Sequence, residues 1–120
     1  MTVRSNMTAI VLLALLLGGC IRGERQVSFQ RDVQPILQAN CIECHIPSAG
    51  TGYLETGLTM ATYEDLMQGT VYGPVIIPGD SRHSILNMLV EGRTPHEREP
   101  LDSEEIEILR LWVEHGALNN

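Results

Sequence analysis

The stretch Cys41-Ile42-Glu43-Cys44-His45 decides the interpretation of this sequence. It holds two of the chain's three cysteines, two residues apart, with a histidine directly after the second one. The cysteine pair alone is also typical of a thioredoxin-like redox site, half of a zinc site or a structural disulfide. A zinc site needs a second Cys or His pair at close spacing, and a thioredoxin-like site needs alternating strands and helices. Neither pattern is visible in the sequence.

The adjacent histidine favours a different chemistry, the covalent attachment of a c-type haem. The thiols of Cys41 and Cys44 would add to the two vinyl groups along one porphyrin edge, which places the imidazole of His45 under the iron as its proximal ligand. Aromatic residues make up only 4% of the chain, so a planar cofactor would fill core volume that aromatic side chains usually occupy. We therefore predict one covalently bound haem c.

The N-terminal sequence predicts export followed by lipid attachment. Arg4 precedes an apolar run over residues 9–17, which is too short for a bilayer span of about 20 residues. Small residues then precede Cys20, as in a bacterial lipoprotein signal, so Cys20 is the predicted lipidation site. Ordinary secretory cleavage, which leaves a free Cys20 thiol, is the alternative. The predicted organisation is a signal peptide at 1–19, a lipid-anchored linker at 20–28 and a folded domain at 29–120.

Helix signals dominate the rest of the chain, and they fall in residues 29–40, 62–69, 84–91 and 102–115. Asp32 is the predicted N-cap of the first of these helices, and Thr62 that of the second. Asp102 and Glu105 match a capping box for the last one. The Gly-, Ser- and Thr-rich residues 48–57 are predicted to form a loop. The prediction is an all-α domain of about four to five short helices with Gly/Pro-rich loops.

The charge balance restricts the partners. Eight Lys and Arg residues stand against fifteen Asp and Glu residues, for a formal net charge of −7. Nucleic acid is excluded as the expected partner, because binding it normally requires a basic face. An acidic protein instead favours redox partner proteins that have a basic docking patch.

Several short strings, in their order and spacing, resemble a family of small bacterial class I-like monohaem cytochrome c domains. The strings are Asp32-Val33-Gln34-Pro35-Ile36-Leu37, Cys41-Ile42-Glu43-Cys44-His45, Gly57-Leu58, Tyr63-Glu64-Asp65-Leu66, Ile77-Pro78-Gly79-Asp80, Ser84-Ile85-Leu86 and Trp112-Val113-Glu114-His115-Gly116-Ala117. The resemblance covers residues 29–120. It implies a cytochrome c-like fold around the haem, in which the first and last helices cross and Trp112 packs near the haem. It also implies electron transfer rather than enzymatic catalysis.

The chain departs from this family on the distal side of the iron. Members usually carry Met-Pro before the last helix, and that Met is the sixth iron ligand. Here the loop reads Thr94-Pro95-His96. His96 is one candidate distal ligand and Met88 is the alternative. An open or water-bound site is the third outcome, and it would permit ligand binding or weak peroxidase-like chemistry.

Together these features predict an exported c-type cytochrome, lipid-anchored to a bacterial membrane and facing the periplasm or the cell exterior, that carries single electrons. The alternative function is a haem-based sensor or binder of small ligands with an open distal site. A third hypothesis is a structural lipoprotein in which Cys41 and Cys44 form a disulfide. Carbon monoxide binding distinguishes the first two hypotheses, and a haem stain on a denaturing gel tests the third.

Overall fold

The computed structural model of the protein describes residues 25–120, and the predictions for the signal peptide and for Cys20 lie outside these residues. The α-helices are α1 (Gln34–Asn40), α2 (Thr51–Thr56), α3 (Tyr63–Gln68), α4 (Ile85–Val90) and α5 (Ser103–Glu114), and a π-helical turn at Phe29–Val33 leads into α1. Within residues 25–120 no strand forms, and Thr70 and Gly73 make one isolated bridge. This arrangement agrees with the predicted all-α class.

The first helical segment begins at Phe29, as predicted, but its N-cap is a different residue from the predicted one. Ser28 caps it, because its hydroxyl accepts from the N–H of Arg31 at 3.2 Å, and the N–H of Val33 donates to the Ser28 carbonyl at 3.2 Å across the π-turn. The prediction of Asp32 as N-cap is therefore wrong. Asp32 instead accepts from the Ser28 N–H at 2.8 Å. Val27 and Ser28 are already buried, so packing starts two residues before the predicted domain boundary.

Residues 48–57, predicted to form a loop, contain helix α2. The helix begins after Gly50 and ends at Gly57, which adopts a left-handed conformation with φ 72° that glycine tolerates without strain. The hydroxyl of Thr56 donates to the carbonyl of Gly52 at 2.6 Å. The loop prediction failed because it weighted glycine as a helix breaker, whereas in this segment the glycines allow close packing against the neighbouring motif.

Two capping predictions are confirmed. Thr62 accepts from the N–H of Asp65 at 3.1 Å and begins α3. Asp102 accepts from the N–H of Glu105 at 2.8 Å, while the Glu105 carboxylate accepts from the N–H of Asp102 at 3.1 Å. Such caps satisfy backbone donors that a helix start leaves unpaired, and each contributes about 1 kcal/mol. Helix α5 has 12 residues, and in the described part of the chain no helix is long and apolar enough to cross a membrane.

The core joins the two ends of the domain. The π-turn packs against α5, as expected for the first and last helical segments. The rings of Phe29, Tyr63 and Trp112 form one cluster, with centroids 5.2 Å apart for Phe29 and Tyr63 and 5.5 Å for Phe29 and Trp112. Leu109 and Val113 are fully buried beside them. Truncating a buried aromatic ring of this kind to alanine typically costs about 3–5 kcal/mol.

Candidate functional site

The predicted haem-site residues meet in one pocket of about 250 Å³. Cys41, Cys44, His45 and His96 all line it, although His96 follows the other three by some fifty positions along the chain. The remaining surface is largely apolar, with Leu58, Met60, Val75, Ile85, Leu86, Leu89 and Val90, and the polar side chains of Asn40, Glu55, Thr56, Thr70, Glu97 and Arg98 also line it. The structure therefore brings the motif and the distal loop to the same cavity. Met88 does not line it.

The motif forms a tight turn after α1. The N–H groups of Cys44 and His45 both donate to the carbonyl of Cys41, at 3.2 and 3.1 Å. Both thiols are free, with Cys41 half-buried and Cys44 exposed. Burial raises the pKa of the Cys41 thiol to about 11, so this thiol is neutral at neutral pH. Two free thiols and an imidazole from one turn, opening on an apolar cavity, are a donor set that suits a covalently attached haem.

His45 is buried and its ring orientation is fixed. Its Nδ1 lies 3.1 Å from the carbonyl oxygen of Leu58. A carbonyl oxygen can only accept, so Nδ1 is assigned the proton and Nε2 keeps its lone pair. A hydrogen bond of this type fixes the tautomer and raises the basicity of the other ring nitrogen, which is the arrangement that a metal-binding histidine normally has.

Helix α2 lies against the motif because Gly52 within it and Gly50 directly before it lack side chains. A Cβ atom at Gly52 would lie 2.6 Å from Cε1 of His45, and one at Gly50 would lie 2.2 Å from the carbonyl oxygen of Cys44. Both distances are shorter than real Cβ contacts allow. The N–H of Tyr53 then donates to the Cys44 carbonyl at 3.0 Å. The glycines therefore let α2 hold the proximal side of the pocket in place.

His96 faces this arrangement from the loop between α4 and α5. Its ring centre lies 6.2 Å from that of His45, with the ring planes at 66°. A metal bound between two imidazoles lies about 2 Å from each nitrogen, which puts the ring centres roughly 6 Å apart. Partial burial, followed by the positive charge that His45 carries when protonated and by that of Arg98, lowers the pKa of His96. A neutral imidazole at this position is able to act as a ligand.

Among the lining residues that had not been predicted as site residues, Leu58, Gly52 and Arg98 make the contacts that shape the site. Leu58 acts through its main-chain oxygen, for which its side chain gives no signal. Trp112, expected near the haem from the family resemblance, is not among the residues lining the pocket. Its indole packs in the aromatic cluster, and its Nε1–H donates to the Leu118 carbonyl at 3.0 Å.

The chain is similar over residues 41–98 to the family described as Planctomycete cytochrome C. The matched range starts at the first cysteine of the motif and includes both histidines of the pocket. No curated protein and no solved structure matches the chain. The family match supports a cytochrome c-like domain, and the matched family implies a covalently bound haem c. The helical fold of residues 25–120 is consistent with this class. They favour an electron carrier over an enzyme.

Proposed function

We propose that this chain is an exported c-type cytochrome that carries single electrons through one haem, attached at Cys41 and Cys44 and ligated by His45 and His96. One observation carries the proposal: both thiols and both imidazoles line one apolar pocket, with the ring centres 6.2 Å apart. When bound, the haem supplies a one-electron couple at its iron.

The chain's own residues adapt the pocket to this role. The Leu58 carbonyl orients His45 and increases electron donation from its free nitrogen. Two imidazole ligands favour the ferric state more than a His/Met pair does, so we expect a lower midpoint potential than in relatives with methionine. Leu86, Leu89 and Val90 keep water away from one wall. None of these roles requires a group to gain or lose a covalent bond during turnover.

The proposal includes a location and a type of partner. We propose that Cys20 carries the lipid and holds the domain at a membrane surface, since each buried methylene of an acyl chain contributes about 0.8 kcal/mol. The formal charge of −7 supports docking to redox proteins with a basic patch. Opposite charges increase the rate at which such partners associate, and this electrostatic attraction weakens as the salt concentration is raised.

A haem stain and intact mass measurement on the exported full-length protein test the proposal. The wild-type chain should carry the mass of one haem through denaturing electrophoresis, and the double variant Cys41→Ala, Cys44→Ala should not. Cys20→Ser serves as the matched control, because it removes the third thiol and should lose the membrane association while it keeps the haem. Covalent haem in the double variant would refute the attachment sites.

One observation favours the second candidate function, a sensor or binder of small ligands. The His96 imidazole is exposed and makes no hydrogen bond to any other residue in the 25–120 range. A distal imidazole whose other nitrogen makes no hydrogen bond is more easily displaced than one that is held by such a bond. Immediate carbon monoxide binding to the reduced wild-type protein would favour this function, and slow or absent binding would favour electron transfer.

A further inference from the structure

The segment that carries His96 has few attachments to the fold. From residue 95 to residue 101, no main-chain group makes a hydrogen bond to another main-chain group among the described residues. Pro95 and Pro100 lack an N–H altogether. Thr94 fixes the near end of the segment, because its N–H donates to the Met88 carbonyl at 3.3 Å, and buried Leu101 fixes the far end, five positions beyond His96. Between these two ends, main-chain hydrogen bonds among the described residues do not hold the imidazole where it lies.

One side chain supplies the missing attachment. The guanidinium of Arg98 donates to the carbonyls of Val90 and Leu89, at 3.0 and 3.3 Å, where α4 ends. Both carbonyls belong to the last turn of the helix; the Leu89 carbonyl also accepts from the Gly92 N–H at 3.1 Å, whereas the Val90 carbonyl has no main-chain donor among the described residues. Within the described residues, these are the hydrogen bonds that connect the 95–101 segment to the rest of the protein. Hydrogen bonds from a charged donor are among the stronger ones in proteins.

Burial of the guanidinium also restricts the Arg98 side chain to this position. Its Nε is buried and has no partner among the described residues, so the two carbonyl bonds must offset the cost of desolvating that donor. The side chain lines the pocket next to His96. Arg98 therefore sits where its bonds to α4 fix the main chain two residues beyond the imidazole.

The His96 imidazole has space to occupy a different position, on the other side of the segment. A second groove of about 410 Å³ lies there, and His96 and Arg98 line both this groove and the first pocket. Its other walls include Leu89, Leu101 and Ile106. The segment is thus a partition between two cavities, and an untethered imidazole has room to turn away from His45.

We infer that Arg98 is a positioning residue that holds His96 opposite His45. The inference rests on the proposed function, in particular on His96 as the distal ligand. It predicts that Arg98 controls how often the distal position opens, without touching the ligand itself.

The test uses carbon monoxide binding to the reduced, haem-loaded, full-length protein. Arg98→Met keeps an apolar stem of similar length and removes every donor. We expect the binding rate to rise about tenfold or more, because losing bonds from a charged donor changes an equilibrium by that order. Arg98→Lys keeps a charged donor and should restore most of the wild-type rate. Added imidazole should return the Met variant to the six-coordinate, low-spin spectrum.

Arg93→Ala is the matched control. Arg93 pairs with Glu91 and donates to the Arg82 carbonyl, so its loss removes a neighbouring arginine without removing a bond of the 95–101 segment. Its binding rate should stay at the wild-type value. An equal rise in Arg93→Ala and Arg98→Met would overturn a specific role for Arg98.

His96→Ala separates failure of this inference from failure of the proposed function. If His96→Ala raises the carbon monoxide rate and Arg98→Met does not, the ligation stands and the role of Arg98 is wrong. If His96→Ala keeps the wild-type spectrum and rate, the ligation itself is wrong. Should Arg98→Met not be exported with haem, Arg98→Gln decides, because its side chain is uncharged and too short to keep both carbonyl bonds: a raised rate supports the inference and a wild-type rate overturns it.

Discussion

The two histidines of the pocket are held in very different ways. His45 is 6% exposed, follows a hydrogen-bonded turn, and has its Nδ1 fixed by the Leu58 carbonyl. His96 is exposed and lies in a segment that one arginine attaches to the fold. The proximal imidazole is held by a turn, a main-chain carbonyl and the packing of α2, whereas the segment with the distal imidazole is held between its ends by one side chain. The two sides should therefore respond differently to the same kind of change.

The largest effect is expected from crowding the proximal side. Gly52→Ala places a methyl group 2.6 Å from the His45 ring, so the imidazole or helix α2 must move. Overpacking of this kind costs about 1–3 kcal/mol, and here it also displaces a ligand. We expect a sharp fall in covalent haem per chain, measured by haem stain against total protein. Thr51→Ala, at an exposed position of the same helix, should retain wild-type haem content. Normal haem content in Gly52→Ala would contradict the close contact.

Removing the distal imidazole should have a large but more selective effect. In His96→Ala the haem should remain attached, because attachment uses Cys41, Cys44 and His45, which this variant leaves unchanged. The ferric spectrum should change from low-spin to high-spin, and reduced protein should bind carbon monoxide readily. Both properties are read by absorption spectroscopy. An unchanged spectrum would assign the sixth position to another residue.

Acid should displace His96 from the iron at a lower pH than the usual pKa of histidine suggests. Partial burial, then the positive charge that His45 carries when protonated and that of Arg98, lower the pKa of His96 from its usual 6.5. A histidine with a lowered folded pKa binds fewer protons folded than unfolded, so its contribution to stability is lost as pH falls below about 6.5. We expect the low-spin spectrum to persist through pH 6.5 and to give way below it. A spectral titration measures this, and the transition should be missing from His96→Ala.

The smallest effect is expected at the alternative distal candidate. Met88 is half-buried on α4 and does not line the pocket. Met88→Leu nearly conserves volume, so it should cost less than about 1.5 kcal/mol in unfolding free energy and leave the haem spectrum as in wild type. Thermal unfolding and absorption spectra measure both quantities. A high-spin spectrum in this variant would show that Met88, and not His96, is the distal ligand.

The features that were predictable from the sequence are the local ones. The capping box of Asp102 and Glu105 and the cap at Thr62 depend on residues three positions apart, so the sequence displays both partners together. The spacing of Cys41, Cys44 and His45 is equally local. These signals were sufficient for the helical class and for the proximal half of the candidate site.

What could not be predicted depends on contacts across the chain. The Leu58 carbonyl lies 13 positions from His45, and any residue can provide a carbonyl. A glycine such as Gly52 is typical of a loop in sequence. Its close approach to the His45 ring is visible only once α2 is placed against the motif. Arg98 resembles any solvated arginine in sequence, and its role follows only from where α4 ends.

The aromatic cluster gives this protein an internal optical probe. Trp112 is the chain's one tryptophan, is 1% exposed, and packs where the first and last helical segments join. Its emission should lie at short wavelength while that junction is closed and shift to the red when water reaches the indole. A bound porphyrin absorbs in the range where indole emits, so loaded chains should be dark and empty chains bright. The tryptophan fluorescence of the exported protein therefore measures the fraction of chains that carry haem.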